Sequence, residues 1–318
     1  METKIFICDL DHSNTNEEEA VFKKAGFDYK WLHCHTQEEV IQSCKGAVVL
    51  LNQYVRMDKV IFEALPTVKC IVRYGVGYDN VNLEDARKYN VRVCNIPDYG
   101  TREVADHALA LMLALTRKIV QTDALVKSGV WDYRREIPLF RMSDATVGIC
   151  GLGRIGSAFA QRVHALGCRV IGYDTQAQNP NRRFPEFVNF VPFETLLKES
   201  DVISLHCPLT EQTYHLFGEK EFDKMKKTSC IINDARGGII DESALLNALT
   251  SGSISAAAID VAEKEPLTAE NPLLKLQNFI ATPHTAWYSE QSSSELKRKA
   301  AEEAVRFMTG EPVHYSVL

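Results

Sequence analysis

Short apolar runs alternate with stretches of helical periodicity over residues 1 to about 100. The apolar runs predict strands at residues 5–9, 29–34, 47–52, 68–74 and 91–95. Helical patterns begin between these runs, near Asn16, Thr36, Asp58 and Asn82. Because strands that alternate with helices are typical of parallel βα units, this region predicts a small doubly wound domain.

The remainder of the chain repeats this alternation on a larger scale. A helical pattern rich in Ala and Leu covers residues 101–118, and residues 119–145 are expected to form a loop-rich arm. Six apolar runs follow, at residues 146–150, 168–174, 202–207, 229–234, 256–261 and 278–282. A last helical pattern at about residues 289–308 is expected to return to the first domain.

A glycine motif follows the run at residues 146–150 and opens a helical pattern, which is the context that makes a G-x-G-x-x-G motif specific. Gly151 permits a tight turn, Gly153 lets the backbone approach a pyrophosphate, and Gly156 lets the helix pack on the strand. The next apolar run ends in Asp174, where a carboxylate accepts hydrogen bonds from an adenosine ribose and repels a 2′-phosphate. The alternative is a glycine-rich turn in another α/β protein with Asp174 merely solvated. The full context favours an NAD site.

These patterns predict an α/β protein with two doubly wound parallel-sheet domains. A flavodoxin-like substrate (catalytic) domain is expected to comprise residues 1–100 and 287–318, with a Rossmann NAD-binding domain of residues 101–286 inserted into it. A chain of 318 residues exceeds a typical single core, which also favours two domains.

The arm contains Trp131 and Tyr133 but few positions with core periodicity. It is either a packed connection or a subunit contact. Because Trp, Tyr and Arg are enriched at interfaces, the subunit contact is favoured and a homodimer is expected.

Composition narrows the class of partner. The net charge of −6, without a basic block, argues against nucleic acid and favours a small molecule. Nine cysteines without framework spacing are typical of a reducing compartment. The N-terminus lacks a signal-peptide pattern and no apolar run reaches the length of a membrane span, so we expect a cytoplasmic protein. No metal site is predicted.

Three later strands each precede a polar residue suited to acid–base or anion chemistry, namely Arg236, Glu265 and His284. A guanidinium fork matches a carboxylate or a polarised carbonyl. An imidazole exchanges protons near neutral pH, and a carboxylate behind it fixes its tautomer. Taken singly, Arg236 fits a surface ion pair, Glu265 a solvated side chain and His284 a loop residue. Their joint position at the carboxyl ends of parallel strands favours a hydride-transfer site.

Several motifs resemble those of D-isomer-specific 2-hydroxyacid dehydrogenases over nearly the whole chain. The shared motifs lie at residues 74–80, 151–156, 206–210, 235–238 and 282–284. Within that family, residues 71–73, 93–97 and 283–291 resemble the C-terminal binding protein branch, which is phosphoglycerate dehydrogenase-like. Some phosphoglycerate dehydrogenases continue into a C-terminal regulatory domain and the vertebrate corepressors into a long tail; from the sequence, neither is expected here.

The resemblance implies a role for individual residues. It implies Arg236 as the substrate anchor, Glu265 as the partner of the histidine and His284 as general acid and base. The substrate carboxylate would be held by the N–H groups of Val76 and Gly77, with Arg73 and Trp287 beside the substrate. The implied cofactor residues, besides the glycines and Asp174, are Arg154 and Ile155 at the pyrophosphate, Cys207 and Pro208 near adenine, Ala235, and Asp260 at the nicotinamide carboxamide.

The expected function is an NAD-dependent oxidoreductase that interconverts a small 2-oxo acid and its D-2-hydroxy acid. One alternative is an NAD-sensing, corepressor-like scaffold, because the corepressors resemble the enzymes at the same positions. Another is a formate or phosphite dehydrogenase, although formate dehydrogenases of this superfamily resemble the pattern with Gln in place of Glu265. The sequence does not specify the 2-oxo acid. No basic cluster near residues 74–80 requires a phosphorylated substrate, although Arg73, and Arg134 or Arg135 of a partner subunit, are available.

Overall fold

The computed structural model describes residues 3–318, which divide into two compact units. Unit 1 comprises the described residues up to Gly100 together with Ser289–Leu318, and unit 2 comprises Thr101–Tyr288. Each unit is built on a parallel sheet, which confirms the predicted fold class.

The elements follow one another in strict alternation through most of the chain. The strands are β1 (Ile5–Asp9), β2 (Tyr29–Trp31), β3 (Val49–Asn52), β4 (Cys70–Arg73), β5 (Arg92–Cys94), β6 (Thr146–Cys150), β7 (Arg169–Tyr173), β8 (Asn189–Phe190), β9 (Val202–Leu205), β10 (Cys230–Asn233), β11 (Ala256–Ile259) and β12 (Phe279–Ala281). The α-helices are α1 (Asn16–Ala25), α2 (Gln37–Ser43), α3 (Lys59–Ala64), α4 (Leu83–Lys88), α5 (Thr101–Thr116), α6 (Ile119–Lys127), α7 (Arg154–Ala165), α8 (Phe193–Glu199), α9 (Glu219–Phe222), α10 (Glu242–Ser251) and α11 (Glu290–Thr309).

The sheet of unit 1 has the order β2-β1-β3-β4-β5, with all strands parallel. Its central strands β1 and β3 are buried along their whole length, as expected for a sheet covered on both faces. Three of the helix starts expected from sequence are fixed by side-chain caps at Thr36, Asp58 and Asn82. Helix α11 carries the buried Glu303, which accepts the N–H groups of His314 and Tyr315 and so holds the C-terminal segment.

The sheet of unit 2 has the order β12-β11-β10-β9-β6-β7-β8, again parallel throughout. The six strands predicted from apolar runs are all present. The additional strand β8 contains only Asn189 and Phe190, so it is too short to produce an apolar run in the sequence. Strands β6 and β9 are neighbours whose connections leave on different sides, and such a switch point is where doubly wound sheets bind ligands.

The interpretation of residues 119–145 as a loop-rich arm is wrong for its first part. Helix α6 occupies Ile119–Lys127, and 3₁₀ turns follow at Tyr133–Glu136 and Met142–Asp144. No residue of α6 is buried, so its apolar positions do not form the core-facing stripe by which an amphipathic helix is recognised. Within residues 3–318, no helix is long and apolar enough to cross a membrane.

Candidate active site

The glycine turn of unit 2 has the geometry that a dinucleotide requires. Gly151 has a φ of +92°, and a Cβ atom there would lie 2.6 Å from the backbone nitrogen of Cys207. A Cβ atom at Gly156 would lie 2.0 Å from the carbonyl oxygen of Gly151, so only glycine lets α7 approach the strand so closely. Beside Gly153 there is open space, and the N-terminus of α7 has no side-chain cap. The turn therefore fits a pyrophosphate at the uncapped helix end, where Arg154 and Ile155 begin α7.

Asp174 directly follows β7 and is fixed by two backbone donors. Its Oδ2 atom accepts the N–H of Leu152 at 2.7 Å, and its Oδ1 atom accepts the N–H of Gln176 at 2.7 Å. The carboxylate is thus tied to the glycine turn itself. This position suits a ribose hydroxyl donor and disfavours a 2′-phosphate, because two negative charges would be brought together.

His284 and Glu265 form a direct pair in unit 2. The Nδ1 atom of His284 lies 2.8 Å from Oε2 of Glu265, and Oε1 of Glu265 accepts the N–H of Ala262 at 3.0 Å. His284 has a φ of 52°, and its N–H donates to the carbonyl of Asp260 at 2.8 Å. With Nδ1 engaged by the carboxylate, Nε2 is the ring atom that remains for proton exchange.

The surroundings of Glu265 keep this carboxyl group ionised. Burial alone would raise its pKa, but the hydrogen bond and positive charge of His284, the N–H of Ala262 and the charge of Arg236 together lower the pKa below its ordinary value. Arg236 therefore lies close enough to the pair to act on it electrostatically. The three residues that sequence assigns to catalysis are thus assembled within one unit.

Arg236 stands on a short segment that Asn233 organises. The amide of the buried Asn233 donates to the carbonyl of Arg236 at 2.9 Å and accepts the N–H of Ala235 at 3.1 Å. The Nη1 atom of Arg236 donates to the carbonyl of Ala235 at 2.7 Å. Sequence reasoning did not identify Asn233. The sequence feature that could have identified it is an amide residue at the end of an apolar run, three positions before Arg236.

Asp260 orders the turn that carries His284. It is 2% exposed, and its Oδ1 atom accepts the hydroxyl of Thr282 at 2.6 Å and the N–H of Thr285 at 2.9 Å. Its Oδ2 atom accepts the N–H of Ala286 at 2.8 Å. These bonds show a positioning function that the sequence did not indicate. The expected contact of Asp260 with the nicotinamide carboxamide stays a prediction.

A second buried pair, His206 and Asp234, lies at the ends of β9 and β10. The Nδ1 atom of His206 is 3.4 Å from Oδ1 of Asp234, and its Nε2 atom is 2.9 Å from the hydroxyl of Ser204. Burial lowers the pKa of His206 to about 3 and raises that of Asp234 well above its ordinary value. Burial thus favours the uncharged form of both side chains beneath the cofactor turn.

Unit 1 contains three of the four residues expected to bind substrate, Arg73, Val76 and Gly77, at the end of β4. Gly75 has a φ of +125°, and the guanidinium of Arg73 lies where a Cβ atom on Gly75 would be. Asn95 donates to the carbonyl of Val76 at 2.6 Å and so fixes the loop. In the described part of the chain, the N–H groups of Val76 and Gly77 have no acceptor. Two such donors in succession suit an anion.

The remaining expected site residues are placed in unit 2. Cys207 and Pro208 follow β9, and Cys207 packs against Gly151. Trp287 lies three residues after His284, with its ring in a T-shaped contact with Tyr288 at 5.4 Å between centroids. Among residues 3–318 there is no cluster of His, Cys, Asp and Glu arranged to hold a metal ion.

Comparison with known proteins finds relatives that match nearly the whole chain. Residues 109–286 match the family described as D-isomer specific 2-hydroxyacid dehydrogenase, NAD binding domain. The chain is 38% identical over 276 residues to a glyoxylate reductase of Korarchaeum cryptofilum, an alignment that covers 86% of this chain and 82% of the relative. It is 38% identical over 303 residues to a D-3-phosphoglycerate dehydrogenase of Archaeoglobus fulgidus, covering 94% of this chain and 57% of that protein.

A solved structure shows the same likeness at the level of the fold. It is the NAD-complexed form of a D-isomer specific 2-hydroxyacid dehydrogenase from Lactobacillus delbrueckii ssp. bulgaricus, which matches with a TM-score of 0.81 and 28% sequence identity. The match covers 99% of this chain and 100% of that chain.

Proposed function

Since the chain belongs to the D-isomer specific 2-hydroxyacid dehydrogenase family, we propose that it reduces glyoxylate with NADH, using Arg236, Glu265 and His284 as its catalytic residues. The chain is an NAD-dependent oxidoreductase that interconverts small 2-oxo acids and D-2-hydroxy acids. The observation that supports these three catalytic residues is the 2.8 Å contact between His284 and Glu265, because the charge of Arg236 also acts on Glu265. The relatives named above are a reductase and dehydrogenases, so no finding favours the scaffold alternative.

Each residue of the trio has a distinct task in this proposal. NAD, when bound at the glycine turn, supplies or accepts the hydride. His284 donates a proton from Nε2 to the substrate oxygen during reduction and removes it during oxidation. Glu265 holds the ring by Nδ1 and stabilises the imidazolium. Arg236 stabilises the negative charge that develops on the substrate oxygen.

In the same proposal unit 1 binds the substrate carboxylate. Its support is the pair of adjacent N–H groups of Val76 and Gly77 without an acceptor in the described chain, with the guanidinium of Arg73 folded over Gly75. Trp287 is proposed to contact the side chain of the substrate. The alternative is that Trp287 only packs against other residues of the protein. Unit 1 is accordingly the substrate domain and unit 2 the cofactor domain.

A substrate panel tests the proposed activity. Purified protein is assayed with NADH and glyoxylate, hydroxypyruvate, pyruvate, phenylpyruvate or 3-phosphohydroxypyruvate, following NADH absorbance. We expect glyoxylate to be reduced with the highest kcat/KM, because the chain is 38% identical to a glyoxylate reductase. We expect 3-phosphohydroxypyruvate to be a poor substrate, because the sequence has no basic cluster near residues 74–80 for a phosphate. Preference for 3-phosphohydroxypyruvate would contradict the proposed substrate, and turnover of none would contradict the activity.

The position of Asp174 predicts the choice of cofactor. We expect NADH to be preferred over NADPH, because the carboxylate is tied to the glycine turn and repels a 2′-phosphate. Asp174→Ala is expected to narrow the difference in kcat/KM between the two cofactors. Arg182 and Arg183 lie a few residues farther on, and their positive charge would account for a preference smaller than expected. Equal kcat/KM for the two cofactors in the wild type would contradict this assignment.

The exposed apolar side chains of the arm support a homodimer. Trp131 is 89% exposed and Tyr133 is 79% exposed, and Ile119, Val120, Ile137 and Phe140 are also exposed. Several large exposed apolar side chains in one segment are typical of a surface that a partner covers. We expect light scattering to give twice the 35.8 kDa mass of one chain. Trp131→Glu should shift the mass toward the monomer, whereas Leu274→Ser, at an exposed site elsewhere on unit 2, should not. A wild-type monomer at micromolar concentration would refute the proposal.

The cysteines support a cytoplasmic location for the enzyme. All nine are free thiols, and eight of them are buried. Thiols of this kind are typical of a reducing compartment.

A further inference from the structure

Cys150 and Cys207 form a thiol pair beside the glycine turn of unit 2. Cys150 is the last residue of β6 and Cys207 lies two residues after β9, its neighbour in the sheet. The Sγ atoms are 4.0 Å apart, with the Cys150 thiol donating to Cys207. Because a disulfide bond is about 2.05 Å long, the sulfur atoms need to approach by about 2 Å to bond.

Cys207 differs from the other eight cysteines in being only partly buried. The hydrogen bond from Cys150 lowers the pKa of Cys207, and the same contact together with burial raises that of Cys150. The thiolate is the form that reacts with oxidants, so Cys207 is the more reactive member. Cys70 and Cys94 in unit 1 also form a hydrogen-bonded thiol pair, but both are buried.

We propose that Cys150 and Cys207 are an oxidation site, at which a hydroperoxide converts the two thiols into a disulfide that weakens dinucleotide binding. The inference rests on the proposed function, because Cys207 is assigned to the NAD site. It adds a chemical modification that the hydride-transfer reaction does not use.

The reaction balances with hydrogen peroxide as the oxidant. The Cys207 thiolate attacks one peroxide oxygen, so that an S–O bond forms, the O–O bond breaks and hydroxide leaves. The Cys150 sulfur then attacks the sulfenic acid of Cys207, forming the S–S bond and releasing water. Two thiols lose two electrons in total, and peroxide is reduced to two molecules of water. A dithiol reverses the change by thiol–disulfide exchange.

The packing around Gly151 links this bond to the cofactor. A Cβ atom at Gly151 would lie 2.6 Å from the nitrogen and 2.8 Å from the Cα of Cys207, so the turn and the Cys207 backbone are in contact. Drawing Cys207 toward Cys150 therefore displaces the turn that must approach the pyrophosphate. In the proposed NAD site, a bound dinucleotide would in turn cover Cys207. Because such coupling is reciprocal, NADH is expected to slow the oxidation.

The test uses the full-length protein and hydrogen peroxide, with and without saturating NADH. Disulfides are mapped by mass spectrometry after alkylation of free thiols, and NADH binding is measured by fluorescence titration before oxidation, after it and after dithiothreitol. We expect a Cys150–Cys207 disulfide, at least about tenfold weaker NADH binding, as for a misplaced binding group, and recovery with dithiothreitol.

Two variants separate this site from general thiol damage. Cys150→Ala is expected to bind NADH when reduced and to stop at a sulfenic acid on Cys207, which dimedone traps. Cys94→Ala removes one member of the buried pair in unit 1 and should respond to peroxide as the wild type does.

The outcomes distinguish this inference from the proposed function. A reduced protein that binds NADH but gives no Cys150–Cys207 disulfide would overturn the inference alone. A disulfide that leaves NADH binding unchanged would overturn it as well. A reduced protein that does not bind NADH would overturn the proposed function and, with it, the inference.

Discussion

Replacement of His284 by alanine is expected to lower reductive kcat/KM by about a hundredfold or more, the usual contribution of a positioned general acid. The physical reason is that Nδ1 is engaged by Glu265 at 2.8 Å, so Nε2 is the atom that delivers the proton. NADH binding should be retained, because the glycine turn and Asp174 do not contact this ring. Steady-state kinetics with glyoxylate and a fluorescence titration with NADH measure the two effects separately.

A histidine elsewhere on unit 2 provides the control. His164 is exposed on α7, where it stacks on Phe187 at 4.0 Å between ring centroids. His164→Ala should therefore leave kcat/KM nearly unchanged. If His284→Ala retains most of its activity, another group supplies the proton and the assignment is wrong.

Glu265→Gln extends this experiment to the pH dependence. The pKa of Glu265 is lowered in the folded protein, so its negative charge is present throughout the neutral range and is lost only as the pH falls through that lowered value. In the wild type, this charge favours the protonated ring that delivers the proton during reduction. Glutamine keeps the shape of the side chain but removes the charge, so we expect the pH profile of reductive kcat/KM to move to lower pH in the variant. A profile that stays in place would contradict the pairing.

The parallel-sheet architecture was largely predictable, because it depends on local patterns. A buried strand such as β6 is an apolar run, and a glycine turn followed by a helical pattern is specific in that context. The helix starts at Thr36, Asp58 and Asn82 were also local, since a capping side chain acts within a few residues. Strand β8 and helix α6 were not predicted from the sequence, because neither produces such a local pattern. Two residues make no pattern, and an uncovered helix presents no stripe toward a core.

The residues of the candidate site could be predicted from the sequence, but the hydrogen bonds that hold them in place could not. The contact between His284 and Glu265, expected from the family resemblance, is present at 2.8 Å, while the catalytic tasks of both residues stay predictions. The bonds that hold the turn at Asp260 are backbone donors, which leave no trace in residue types. The pairing of His206 with Asp234 likewise depends on the register of β9 against β10. Such contacts arise from the folded sheet and not from spacing along the chain.

Arg236→Lys is expected to lower kcat/KM for glyoxylate by about a hundredfold, comparable to removal of one preorganised donor from a developing oxyanion. An ammonium keeps the positive charge but not the planar fork that donates two parallel hydrogen bonds. The loss should exceed what charge alone explains, because the segment at Arg236 is fixed by Asn233 and cannot move to compensate.

Arg169→Lys is the matched control, since Arg169 forms an exposed ion pair with Glu199 at 2.7 Å. A variant Arg236→Ala whose turnover is restored by added guanidinium, but not by ammonium, would identify the fork as the required group. Equal activity of Arg236→Lys and the wild type would show that charge alone suffices there.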